Sequence, residues 1–125
     1  MSNLIVGLIK KSNDSEKPTR HFSSKQEKSV AKAVNGRQVS NSGATDFQKG
    51  DVVSSEFLIE CKTKTKNSDS MSIKKEWLEK NKKEALFMGK EHSALAFNFG
   101  PDEENYYIIE EYLFKELLEH LKENK

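Results

Sequence analysis

Three side chains suited to phosphate chemistry lie close together in "DVVSSEFLIECK", residues 51–62: Asp51, Glu60 and Lys62. Successive side chains of a strand point to opposite faces. Glu60 and Lys62 therefore share a face with Leu58, while Phe57, Ile59 and Cys61 share the other. A hairpin turning at Ser55-Glu56, although Ser-Glu is not a favoured turn pair, sets Val52 opposite Ile59 and Asp51 opposite Glu60. Opposed residues have Cβ atoms roughly 4.5–5.5 Å apart, so the two carboxylates repel unless a cation lies between them. Mg²⁺ suits that arrangement, because it takes one or two carboxylates and keeps several waters. Lys62, one strand step on, is placed to orient or deprotonate an attacking water, or to stabilise charge developing on a phosphate. Such a set is equipped for metal-assisted phosphodiester hydrolysis. The competing reading is a solvated face on which Glu60 pairs with a lysine. Val53 and Leu58 share that face and argue against full exposure. Cys61 reads as a small apolar residue packed against a helix.

The elements that must position these residues follow from the hydrophobic pattern. "SSKQEKSVAKAV", 23–34, predicts a short helix capped by Ser23 or Ser24, with Val30, Ala31 and Val34 as its apolar stripe. Ser24 and Glu27 have capping-box spacing, so Glu27 has a structural role open to it as well as a chemical one. Residues 35–50, rich in Gly, Asn and Ser, read as loop, and 63–72 as a second polar loop. A helix is expected from about 73 to 90 with Ser72 as its cap and Gly89 near its end. Its buried face would hold Ile73, Trp77, Leu78, Ala85 and Met88. Its lysines (74, 75, 80, 82 and 83) suit a phosphate backbone, or else form a solvated face laced with Glu76, Glu79 and Glu84. "SALAFNF" and "NYYIIE" read as strands around "GPDEE". "EYLFKELLEHLKEN" closes the chain as an amphipathic helix presenting Leu113, Leu117, Leu118 and Leu121. The order α-β-β-α-β-β-α predicts an α/β domain over 23–125, its sheet flanked by helices, preceded by an arm over 1–22.

The string "GDVVSSEFLIECK" resembles the PD-(D/E)XK nuclease signature, with Gly50-Asp51 in the place of Pro-Asp and Glu60-Cys61-Lys62 as E-X-K. The element order over 23–109 is similar to that superfamily's restriction-endonuclease-like core, which has a mixed four-stranded sheet. The nearest likeness is to Holliday-junction resolvases of the archaeal type and their small phage relatives. An early helix glutamate, an arginine and a Ser-Gly loop precede the aspartate there, as Glu27, Arg37 and Ser42-Gly43 do here. The resemblance implies Asp51 and Glu60 as main metal ligands, Glu27 as a further one, and Lys62 as the catalytic lysine. Arg37 and Ser42 would lie at or beside the scissile phosphate, and Lys74 and Lys75 on the DNA backbone. Mg²⁺ is the implied cofactor, with Mn²⁺ able to substitute. Branched DNA is the implied substrate, and two symmetric incisions imply a homodimer. The gap between Asp51 and Glu60 is shorter than usual in the superfamily. A nuclease for linear or single-stranded DNA in repair or restriction, and a non-catalytic nucleic-acid-binding module, are the alternatives.

Composition sets the outer bounds. The chain has 125 residues, 34% hydrophobic and 33% charged, the size of one domain with a modest core. No apolar run approaches the roughly 20 residues of a membrane span. "LIVGLI", 4–9, has neither a basic flank nor a cleavage site, so a secretory signal is not expected. One cysteine excludes an internal disulfide and fits a reducing, cytoplasmic setting, and His21, His92 and His120 make no zinc pattern. The net charge of +1 conceals an asymmetry. Residues 10–37 carry eight basic and three acidic side chains, a net of +5, and residues 100–125 carry eight acidic and three basic, a net of −5. The front of the chain is thus the half suited to a polyanion.

Overall fold

The runs containing Val52, Val53, Leu58 and Ile59 and the alternating "HSALAF" pair into one sheet, as β-branched and apolar residues buried on both faces favour. A computed structural model of the chain describes residues 21–39 and 51–124. The expectations for the arm up to residue 20, for Ser42-Gly43 and for Gly50 lie outside them. Helix α1 covers residues 21–33. It is followed by β1 (Arg37–Gln38), β2 (Asp51–Val53), β3 (Phe57–Lys62), α2 (Lys75–Phe87), β4 (His92–Phe97), β5 (Tyr106–Ile108) and α3 (Glu111–Glu123).

The sheet order is β1-β2-β3-β4-β5, with β3 and β4 parallel and every other neighbouring pair antiparallel. This corrects the expected four strands to five among the described residues. The added strand lies inside the stretch read as loop: Arg37 pairs with Val53 and Gln38 with Val52, and the Val39 amide donates to the Asp51 carbonyl at 2.9 Å. Two residues leave no periodicity to read, so only the pairing reveals the strand. The β2–β3 register is the one expected, Asp51 opposite Glu60 and Val52 opposite Ile59. The Ser54 amide closes the turn on the Phe57 carbonyl at 3.0 Å.

The helices cover opposite faces. Val30 of α1 packs on Val52, Ile59, Ala94 and Ala96, with Phe57 and Cys61 beside them. Ala85 of α2 packs on Val53 and Leu58. Asn35, at φ 55°, ends α1, and the Gly36 amide reaches back to the Ala31 carbonyl at 2.8 Å. A Cβ on Gly36 would run into the Val53 carbonyl, so glycine is what lets the chain enter β1 against β2. Gly89, at φ 73°, ends α2 in the same way, with the Lys90 amide on the Ala85 carbonyl at 2.8 Å.

Two helix starts differ from expectation. Ser23 and Ser24 lie within α1, which already includes His21 and Phe22, so neither is its cap and the capping box does not form. Helix α2 begins at Lys75, with Lys74 at the N-cap and no side-chain cap, so Ser72 does not serve. Among the described residues no helix is long and apolar enough to cross a membrane.

Candidate active site

Asp51 and Glu60 face each other across the antiparallel pair and are only 1% and 3% exposed. Strand alternation puts both on the α2 side, in line with Val53 and Leu58. Asp51 Oδ2 and Glu60 Oε2 are buried without a hydrogen-bond partner among the described residues. Lys62 Nζ lies 3.7 Å from Glu60 Oε2, within ion-pair range but beyond a hydrogen bond. It also lies 4.3 Å from the centre of the Trp77 ring. The expected trio is therefore assembled at one end of the β2–β3 pair.

Burial pushes the Asp51 carboxyl up to about 7, and the neighbouring carboxylates of Glu60, Glu84 and Glu27 add to the rise while Lys62 opposes it. Burial also raises Glu60. Lys62 and Lys80 counter that, and Glu84 reinforces it. The site is an excess of negative charge held in a dry place, the condition a divalent cation relieves.

Glu84 is the residue that sequence reasoning missed. Taken there for a member of a solvated face, its side chain is 13% exposed, with Lys80 Nζ at 3.9 Å. Its position held a signal: Trp77, Asn81, Glu84, Ala85 and Met88 follow helical spacing along the stripe that faces the sheet. Asn81 belongs to the same stripe. It is buried and donates from Nδ2 to the carbonyls of Leu58, at 3.2 Å, and Ala94, at 2.9 Å, which pins α2 across the parallel strands.

Glu27 sits on α1 and accepts a hydrogen bond from Gln38 Nε2 at 3.2 Å. Burial raises its carboxyl, and its field reaches Cys61 and Asp51. It thus approaches the site from the α1 side and is not part of the Asp51–Glu60 pair itself. Its neighbour Gln26 is buried and donates to the Lys62 carbonyl at 2.7 Å, so α1 holds the end of β3. Burial and the surrounding carboxylates push the Cys61 thiol far up, in keeping with a packing residue.

No protein-family model, curated protein or solved structure matches this chain.

The remaining candidates are spread more widely. Lys74 stands at the start of α2, its Nζ 5.9 Å from the Trp77 ring, and Lys75 is exposed with Glu79 at 4.0 Å. Arg37 is exposed on β1 opposite Val53, two residues along β2 from Asp51. Ser42 lies outside the described residues. Lys64 is committed to its own loop, donating to Ser68 Oγ at 3.1 Å and the Ser70 carbonyl at 2.6 Å. Among the described residues, Glu56, Glu91 and His92 form a separate group of three potential metal ligands. It lies at the other end of β3, roughly 13 Å from Glu60 at strand rise. Both carboxylates are exposed and His92 Nδ1 is engaged with Tyr112 Oη at 2.9 Å, so the group is weak as a metal centre.

Proposed function

We propose that this chain is a Mg²⁺-dependent endonuclease that hydrolyses DNA phosphodiester bonds, with branched four-way junctions as its substrate. On this reading the sheet and helices are a restriction-endonuclease-like core of the PD-(D/E)XK type, acting in a reducing cytoplasm, and Mn²⁺ substitutes for Mg²⁺. The observation that carries it is the buried, cross-strand Asp51–Glu60 pair, each with a carboxylate oxygen that has no hydrogen-bond partner among the described residues, beside Lys62.

Unsatisfied buried oxygens and crowded negative charge both cost free energy, and a divalent cation removes both costs. Asp51 and Glu60 would hold it, and Glu84 and Glu27 add negative charge to the place. Bound there, Mg²⁺ supplies Lewis-acid stabilisation of phosphate charge. Lys62 directs its ammonium at the phosphate oxygens or the attacking water. Lys74, Lys75, Arg37 and Ser42 contact the flanking backbone, and the basic stretch 10–37 adds salt-dependent affinity.

Cutting a junction symmetrically takes two sites, and α3 supports a two-fold homodimer. Only Leu113 of α3 is buried, while Phe114, Leu117, Leu118 and Leu121 remain 44–62% exposed. Their spacing reads the same in both directions, so two copies of the stripe match each other antiparallel about a two-fold axis.

The test is cleavage of a synthetic four-way junction and of linear duplex, with and without Mg²⁺, by wild type and Lys62→Ala. Expected is metal-dependent cutting of the junction, lowered by roughly 10²-fold or more in Lys62→Ala. Equal cutting of linear DNA removes the junction claim and leaves a nuclease. Metal-independent binding without cleavage favours a binding module.

A further inference from the structure

The Lys62 ammonium lies over a ring face, near Glu60 but beyond hydrogen-bond distance of it. Nζ is 4.3 Å from the Trp77 ring centre and 3.7 Å from Glu60 Oε2, while Lys74 Nζ is 5.9 Å from the same ring. A lysine ends in a point charge on a flexible four-carbon stem, so something must hold that charge in one place for it to act. Trp77 is well fixed for the purpose. It lies in the first turn of α2, its amide on the Lys74 carbonyl at 3.0 Å, and Asn81 bolts the next turn to β3 and β4.

We propose that Trp77 is the positioning residue for Lys62, its indole face holding the ammonium beside the Asp51–Glu60 pair. A ring face attracts a cation through its quadrupole and, unlike a carboxylate, carries no net charge to neutralise it. The ammonium therefore keeps its positive charge, and its donors turned away from the ring and from Glu60 Oε2 are the ones left for phosphate oxygens. The catalytic side of this inference rests on the nuclease reading, but the contact itself does not.

Trp77 is the only tryptophan in the chain, so tryptophan emission reports this ring alone. The experiment pairs emission spectra of wild type, Lys62→Met and Lys74→Met with junction cleavage in Mg²⁺ by wild type, Trp77→Phe and Trp77→Leu, each checked by thermal melting. Emission is expected to change in Lys62→Met and to change much less in Lys74→Met. Trp77→Leu is expected to lower kcat roughly tenfold with KM nearly unchanged, and Trp77→Phe to recover most of the loss. Wild-type kcat in Trp77→Leu, or equal losses in the Phe and Leu variants, would overturn the positioning role. Emission indifferent to Lys62→Met would overturn the contact. A wild-type protein that cuts no DNA sinks the nuclease reading, and emission then decides the Trp77–Lys62 contact by itself.

Discussion

At the scale of single residues, the burial of Asp51 has a measurable cost. Its carboxyl ionises at about 7 in the folded chain against an ordinary 3.8. Between those values the folded protein keeps a proton that the unfolded chain has lost. The resulting stability is fully present below about pH 4 and is lost as pH rises through about 7. Without divalent ions, the melting temperature should therefore fall between about pH 5 and pH 8, and Glu60, raised in the same direction, adds to the fall. Asp51→Asn should flatten this dependence and be more stable than wild type at pH 8, by on the order of 1–4 kcal/mol. Under the nuclease reading, Mg²⁺ should raise the wild-type melting temperature more at pH 8 than at pH 5, and should do so less in Asp51→Asn. Calorimetry across pH measures both. Cys61 gives a second check: with its thiol pushed far up, it should react slowly with a thiol reagent until the chain unfolds.

At the scale of elements, the site depends on how α2 is seated. Asn81 supplies two hydrogen bonds to strand carbonyls from a buried position, and the polar groups left behind by its removal have no water to turn to. Asn81→Ala should cost about 2–4 kcal/mol in denaturant unfolding, and Asn81→Leu should recover little, because restored volume does not restore the bonds. On the other face, Gln26 binds the Lys62 carbonyl, so α1 and α2 both fix the strand that carries Glu60 and Lys62. The β2–β3 hairpin was legible in advance because a period of two and a turn at Ser55-Glu56 leave one register that buries Val52 and Ile59 together. Strand β1 was not, since a pair of residues carries no pattern.

At the scale of the whole molecule, α3 stands out. A 13-residue helix is marginal by itself in water, and this one buries Leu113 while leaving most of its apolar stripe outside. If a second copy covers that stripe, Leu117→Glu with Leu121→Glu should convert a dimer to monomers in sedimentation, with little change in circular dichroism. Under the nuclease reading, the same variant should shift the products on a four-way junction from paired incisions to single nicks. A wild-type chain that sediments as a monomer at micromolar concentration would remove the two-fold arrangement.

Alternation along a strand is local geometry, so the sequence by itself determined that Glu60 and Lys62 share a face, that Cys61 packs on the other, and that Asp51 meets Glu60 across a hairpin. Helix ends are also local, but only where a residue of positive φ marks them, which is why Gly89 was readable and the starts of α1 and α2 were not. The tertiary structure decided what stands above that face. Glu84 and Trp77 lie fifteen or more residues from Lys62 in the chain, and only the docking of α2 across β3 and β4 brings Trp77 to Lys62 and the Glu84 charge to Asp51 and Glu60. The fate of Glu27 was decided in the same way. Spacing offered it to its own helix cap, but pairing of β1 with β2 placed Gln38 where its Nε2 donates to the Glu27 carboxylate.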